Sequence, residues 1–192
     1  PTDGFMYSNF VHLHTHSQYS LLDGACRLND VIKLAKHNKM PALAITDHGN
    51  MFGTIEFYLK ARKAGIKPII GTEAYVAGGS RLEKKPSNEY PDGGFHLVLL
   101  VKNLTGYKNL VKLASAAYIE GFYHRPRIDK ELLRQYSEGL IATSACLKGE
   151  VSWQLLQGNT DAAVATAREM QDIFGEGNFF LEIQNHGIEQ EI

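Results

Sequence analysis

Short apolar runs alternate with amphipathic stretches from one end of this chain to the other. The runs at 10–15, 41–46, 67–77, 95–102, 139–145 and 178–184 are rich in Val, Ile, Leu or Phe. Near-continuous apolar runs bounded by polar segments predict strands buried on both faces. Between them the spacing predicts a helix over 28–39, with Val31, Ile32, Leu34 and Ala35 on one face. A second covers 54–64, carries Phe57, Leu59 and Ala61, and stops at Gly65 as a C′ glycine. A third covers 103–120, Asp129 caps a fourth through Tyr136, and Thr160 caps a fifth that ends at Gly175. This alternation predicts a parallel sheet with helical crossovers, either a barrel or a doubly wound sheet. The stretch 78–94, with its glycines, prolines and mixed charges, breaks the pattern and predicts a surface loop of the kind that borders sites. No internal repeat or interdomain linker interrupts the pattern, so a single domain is expected.

Composition adds exclusions more than identity. At 192 residues, 44% apolar and 21% charged, with a net charge of −1, the chain is not a disordered tail. No apolar run approaches the roughly 18 residues of a membrane-spanning helix, and the first residues lack a signal-peptide pattern. Two cysteines, Cys26 and Cys146, are too few for a secreted disulfide framework, so a reducing cytoplasm is expected. Twenty Lys and Arg against 21 Asp and Glu exert no global pull on nucleic acid or anionic lipid. The unusual count is eight histidines.

Their placement carries the chemistry. Val11-His12-Leu13-His14-Thr15-His16 puts imidazoles at alternate positions, which share one face of a strand and can converge on a metal. The same pattern fits a merely polar strand face. Asp23 fits either a helix-start carboxylate or a ligand. Asp47-His48 closes the second predicted strand at its C-terminal edge, where parallel α/β folds gather chemistry. Glu73 lies among Ile69, Ile70 and Val76, where a carboxylate is costly unless paired with a cation or bound to metal. His96 begins the fourth strand, and Cys146 ends the fifth, as a core thiol or a ligand. Cys26 is expected in the core, and His37 and His124 on the surface. Glu182, Gln184 and His186 alternate on the last strand and face either the site or solvent. Together, His, Asp, Glu and Cys recur at successive strand ends and predict one rim with more than one ion. Thiolate and imidazole favour zinc, manganese or iron over magnesium. Such a cluster makes metal-bound hydroxide and clamps a phosphate ester, so phosphoester hydrolysis is the predicted reaction. No Gly-rich phosphate loop and no G-x-S-x-G elbow points elsewhere.

These runs resemble the polymerase and histidinol phosphatase (PHP) domain. More narrowly, Tyr19-Ser20-Leu21-Leu22-Asp23-Gly24-Ala25, Gly49-Asn50-Met51-Phe52-Gly53 and Lys67-Pro68-Ile69-Ile70-Gly71 resemble the N-terminal PHP domain of bacterial DNA polymerase III alpha subunits. Gly121-Phe122-Tyr123, Pro126-Arg127-Ile128-Asp129, Ser144-Ala145-Cys146-Leu147 and Gly149-Glu150-Val151 do the same. The resemblance implies a distorted (β/α)7 barrel of the PHP type, with 1–192 an incomplete domain truncated before the last strands and up to three divalent ions at one rim. It makes His14, His16, Asp23, His48, Glu73, His96 and Cys146 the metal ligands, with Glu73 bridging and the hydroxide held by His14, His16 and Glu73. His12 and Asp47 become supporting neighbours, and Arg125 and Arg127 candidate phosphate contacts. The family completes its site with an Asp-x-His pair that would lie beyond Ile192, which implies a piece of a much longer polymerase. The activity implied is 3′→5′ exonuclease proofreading within a DNA-directed DNA polymerase. Alternatives are a non-catalytic domain that stabilises the polymerase and docks partners, or a free-standing phosphatase. The partners implied are a DNA primer terminus and other replisome subunits in the cytoplasm, with no membrane. Without a strong basic cluster, this region alone is expected to bind DNA weakly.

Overall fold

The structure, a computed structural model, describes residues 7–21, 23–86, 91 and 93–191. Part of the predicted loop at 78–94, namely 87–90 and 92, lies outside the described residues, as do Leu22, the first six residues and Ile192. The first helix, α1 (Leu28–His37), buries Leu28, Ile32 and Ala35 at helical spacing and leaves Leu34 outside. It leads into β1 (Ala42–Ile45), which is buried throughout. Helix α2 (Thr54–Ala64) buries Phe57 and Ala61 and ends on Gly65 at φ 80°. The backbone then enters β2 (Lys67–Val76), parallel to β1 with Ala42 opposite Lys67. Leu28, Ile32, Leu43, Phe57 and Ala61 join in one core cluster that fastens both helices to this edge of the sheet.

The next strand departs from the parallel expectation. β3 (Phe95–Val101) runs antiparallel to β2, with Glu73 opposite Val98 and Tyr75 opposite His96. α3 (Leu104–Ile119) follows, opened by Asn103 accepting from the Gly106 N–H at 3.0 Å. Two short elements come next: β4 (Arg127–Ile128), parallel to β2, and α4 (Lys130–Tyr136), capped by Asp129 as predicted. β5 (Leu140–Thr143) is antiparallel to β3, so β3 opposes both of its neighbours. α5 (Glu150–Leu156) and α6 (Thr160–Phe174) precede β6 (Phe179–Phe180), parallel to β5, and a 3-10 turn at Glu189–Glu191 ends the described chain. The sheet order is β1-β2-β3-β5-β6 with β4 beside β2, an open, mixed α/β arc among the described residues. The main core, including Val76, Leu97, Leu99, Leu110, Leu133, Leu140 and Phe174, lies between this sheet and α3, α4 and α6.

Other boundaries moved for local reasons. α5 and β4 carry too few residues for a periodic signal. Thr160 is the first residue of α6 rather than its cap, and the predicted strand at 178–184 pairs only through Phe179 and Phe180. The run 10–15 forms no regular strand. It lies beside β1, with the Ala44 N–H donating to the His12 carbonyl and the Thr46 N–H to the Thr15 carbonyl. Three residues on one side therefore match two on the other, a bulge-like surplus that interrupts the two-residue alternation. Cys26, expected in the core, is exposed.

Two predictions follow from this packing. A Cβ on Gly106 would stand 1.8 Å from the Gly139 carbonyl oxygen, so Gly106→Ala forces α3 off the start of β5. Urea unfolding should show a loss of about 1–3 kcal/mol, as overpacked interiors do. Burial by itself would raise the Asp129 pKa, but the N–H groups of Arg81 and Leu132 and the Arg81 guanidinium hold it below 3.8. A depressed carboxyl stabilises the fold above its unfolded pKa, and that gain disappears as pH falls through the folded value. The stability difference between wild type and Asp129→Asn should therefore be full at neutral pH and shrink below 3.8.

Candidate metal centre

The site grows from one buried acid. Ile69, Glu73 and Tyr75 share one face of β2, and beneath Glu73 that face is apolar, closed by Ala44, Val98, Leu100, Ile69 and Ile141. Glu73 is 1% exposed. Its ion-pair partners among the described residues are all imidazoles. Oε2 lies 3.2 Å from His14 Nε2, 3.1 Å from His16 Nε2 and 3.0 Å from His48 Nδ1, and Oε1 lies 2.8 Å from His96 Nδ1.

Each imidazole arrives by a separate backbone route. His48 sits where the chain beyond β1 stays paired to β2, the Glu73 N–H donating to the Asp47 carbonyl and the Gly49 N–H to the Glu73 carbonyl. His96 lies at the start of its strand, and the antiparallel course of β3 brings that start to the same rim as Tyr75. The Tyr75 ring packs on both, 5.9 Å from His48 and 5.1 Å from His96. His14 and His16 enter from the segment beside β1, and the His16 ring stacks on His48 at 4.1 Å. Asp23 Oδ2 closes the outer side, 3.0 Å from His48 Nε2. Cys146 Sγ completes the group from the turn after β5, 3.8 Å from Glu73 Oε1 and 3.7 Å from His96 Nδ1. The seven expected ligands thus line one cleft of about 430 Å³, together with Lys148, Gln184 and His186.

Asp47 points away from that cleft. Buried, it accepts from the Ser17 N–H and the Ser20 hydroxyl on Oδ1, and from the Ser17 hydroxyl on Oδ2, at 2.7–2.8 Å. The Ser20 hydroxyl oxygen also accepts the His48 N–H. Asp47 therefore holds the turn between His16 and Asp23 and ties it to His48. His12 stands apart, exposed, with its ring edge on Phe10 at 4.9 Å. The surplus residue between His12 and Thr15 takes it off the face that His14 and His16 occupy.

Arg127 does not reach the cleft, which corrects its reading as a phosphate contact. It is 2% exposed, and its guanidinium donates to the carbonyls of Gly121, Arg81 and Glu83. Arg125 is exposed and lies over the Tyr75 ring at 5.8 Å. Sequence reasoning missed Tyr75, two residues along the face of Glu73, and Lys148, whose carbonyl accepts the His96 N–H. It also left Glu182 undecided. Glu182 Oε1 is 2.7 Å from His14 Nδ1, a contact between segments 168 residues apart.

The electrostatics are those of a carboxylate in want of cations. Burial would raise the Glu73 pKa, but the surrounding imidazoles hold it well below the usual carboxylate range. Burial lowers that of His14, yet Glu182 and Glu73 outweigh it and carry it up to about 9. Burial and the Glu73 charge push the Cys146 thiol up to about 11. Among the described residues, Glu73 Oε2, His48 Nδ1 and His16 Nδ1 are buried without a well-directed hydrogen bond. Two donor groups, His14 with His16 and Glu73, and His48 with Glu73 and His96, each converge closely enough for one ion. Orphaned buried donors in imidazole, carboxylate and thiol sets fit divalent metal, and the shared Glu73 fits more than one.

The support for this arrangement is itself testable. Asp47→Ala leaves buried donors of Ser17 and Ser20 unpaired, and denaturant unfolding should register about 1–3 kcal/mol for each group so stranded. An unchanged midpoint would mean that the turn is held by something else.

The sequence has clear relatives among known proteins. The model of the PHP domain matches residues 12–186. The DNA polymerase III subunit alpha of Thermus aquaticus is 54% identical over 184 residues, covering 95% of this chain and 15% of that protein. Its counterpart in Borreliella burgdorferi is 52% identical, over 96% of this chain and 16% of that protein. The chain spans about 15% of the length of these relatives. Among solved structures, a two-domain protein from Bacteroides vulgatus described as containing a predicted PHP-like metal-dependent phosphoesterase aligns with TM-score 0.49 and 16% identity, over 83% of this chain and 41% of that one.

Proposed function

From the premise that the chain belongs to the PHP domain family, we propose that it forms a multinuclear metal centre that hydrolyses phosphoesters within a longer replicative DNA polymerase alpha subunit. The substrate best matched to that setting is the 3′ terminus of a DNA primer, removed as proofreading. The observation that carries the reading is the Glu73 carboxylate, buried and ringed by four imidazoles, with one oxygen lacking a directed hydrogen bond.

His14, His16, Asp23, His48, Glu73, His96 and Cys146 would hold the ions, with Glu73 shared between them. Bound divalent ions supply an activated water near neutral pH and neutralise charge on the phosphoester. Zinc suits the imidazole and thiol donors best, with manganese or iron as the alternatives. Cys146, whose thiol burial keeps protonated, would serve as a ligand in its thiolate form. The chain's own residues do the rest. The apolar floor under Glu73 keeps water from beneath the carboxylate, Asp47 fixes the turn that presents Asp23, and the Tyr75 ring holds His48 and His96 in place. Arg125 and Lys148 are the cations at the rim that suit a phosphate.

Two arginines, one in the 78–94 segment and one on β4, are engaged internally. Arg81 pairs with Glu120, Asp129 and Glu131, and Arg127 serves carbonyls, so this region alone should grip DNA weakly. Submicromolar DNA binding by this chain at physiological salt would refute that. A second reading, a docking and stabilising domain, is favoured by one surface. Phe52, Tyr118 and Phe122 are exposed and meet ring to ring at about 6 Å beside exposed Ile55 and Ile119. Among the described residues no helix is long and apolar enough to cross a membrane. The working compartment proposed for the chain is the cytoplasm.

The experiment is removal of a primer terminus by the intact polymerase, with polymerisation as the internal control, before and after chelation. Asp23→Asn and His48→Asn should each lower terminus removal by at least the roughly 10–100-fold that even supporting residues of metal sites cost, with polymerisation retained. Unchanged removal with metal still bound would leave the docking reading. Arg125→Ala should raise KM without altering the unfolding midpoint, whereas Arg127→Ala should lower the midpoint.

A further inference from the structure

We propose that Glu182 is a positioning residue that sets the tautomer and ring orientation of His14 for metal binding, an inference that rests on the metal-centre reading above. Glu182 lies just past β6 in a stretch without regular secondary structure, where a side chain ordinarily has many rotamers open to it. Here it is fixed on every side. Its own N–H donates to the Ser144 hydroxyl oxygen at 2.9 Å, and Oε2 accepts the Thr143 hydroxyl. Oε1 accepts the Gln184 amide at 2.7 Å and lies 2.7 Å from His14 Nδ1.

His14 thus has a carboxylate at each ring nitrogen. An imidazole that holds a metal on one nitrogen is neutral and has one N–H to give. The Nδ1 contact to Glu182 is the shorter, 2.7 Å against 3.2 Å from Nε2 to Glu73, and of these two it is the directed hydrogen bond. The Gln184 amide lies farther from the same nitrogen, at 3.3 Å, and itself donates to Glu182. The proton therefore belongs on Nδ1, and the Nε2 lone pair faces the Glu73 side, where an ion would be held. A carboxylate behind a ligating histidine fixes its tautomer and raises its basicity. His16 shows no such support among the described residues, where its Nδ1 is buried without a hydrogen-bond partner. Thr143 lies on β5 opposite Val98, on the face that carries Glu73, so the sheet itself anchors the brace.

The test is zinc affinity of the full chain by competition with a chromophoric chelator, with circular dichroism confirming that each variant is folded. Glu182→Ala should weaken the affected ion by roughly 10–100-fold, the usual cost of losing such a partner. Glu182→Gln keeps an acceptor for the Nδ1–H and a donor for Thr143, so it should lose less. On a His14→Ala background, Glu182→Ala should add no further loss, because the coupling runs through that ring. Should Glu182→Ala fail to fold, Thr143→Val, which frees one Glu182 oxygen, should give a smaller loss that likewise vanishes without His14. Wild-type affinity in a folded Glu182→Ala variant, or equal losses with and without His14, would overturn the proposal while leaving the metal centre intact. A wild-type chain that withdraws no zinc from the chelator would overturn the metal reading and this one together.

Discussion

A carboxylate carried to a place that is 1% exposed must be compensated where it lies, and at Glu73 the compensation is four imidazoles. A carboxylate in an apolar surround without partners is among the costliest arrangements a fold can hold. Lysine or arginine would discharge that cost with a simple ion pair. Imidazoles do so only when protonated, and as neutral rings they offer lone pairs to a cation instead. The same contacts that settle the charge of Glu73 therefore assemble a ligand set.

The rest of the architecture serves that assembly. β2 supplies Glu73 and Tyr75 on one face, and its pairing with the chain beyond β1 delivers His48. The antiparallel turn of β3 brings the start of one strand to a rim otherwise made from strand ends, which is how His96 reaches Glu73. Asp47 lends both oxygens to the Ser17–Ser20 turn, so the two histidines before that turn and the acid after it are held together. Two carboxylates stand behind the ligands, Asp47 holding the Ser17–Ser20 turn and Glu182 meeting His14 at Nδ1.

Much of this was legible in the chain because it rests on local patterns. Helices α1, α2 and α3 follow from their apolar spacing, and Asp129 caps α4 by residue type alone. That His, Asp, Glu and Cys would collect on one rim was foreseeable from their recurrence near strand ends, whereas the particular set of His14, His16, Asp23, His48, Glu73, His96 and Cys146 came from the resemblance to the PHP domain. The direction of β3 was not, because an apolar run such as Phe95–Val101 reads the same in either orientation. Nor was the loss of His12 from the shared face, which depends on a single extra residue in the pairing with β1. Arg125 and Arg127 are the same residue type two positions apart, yet Arg127 is buried among carbonyls and Arg125 is exposed over the Tyr75 ring. Burial separates them, and no local pattern encodes it. Glu182 was visible as an alternating polar position, but its partner lies at the opposite end of the chain.

The most direct measurement is anomalous X-ray scattering at the absorption edges of zinc, manganese and iron from crystals of the intact protein. At least two peaks flanking the Glu73 carboxylate, and their loss in Glu73→Gln, are the predicted result. An ordered cluster of four imidazoles around Glu73 with no peak at any edge after metal soaking would contradict the account.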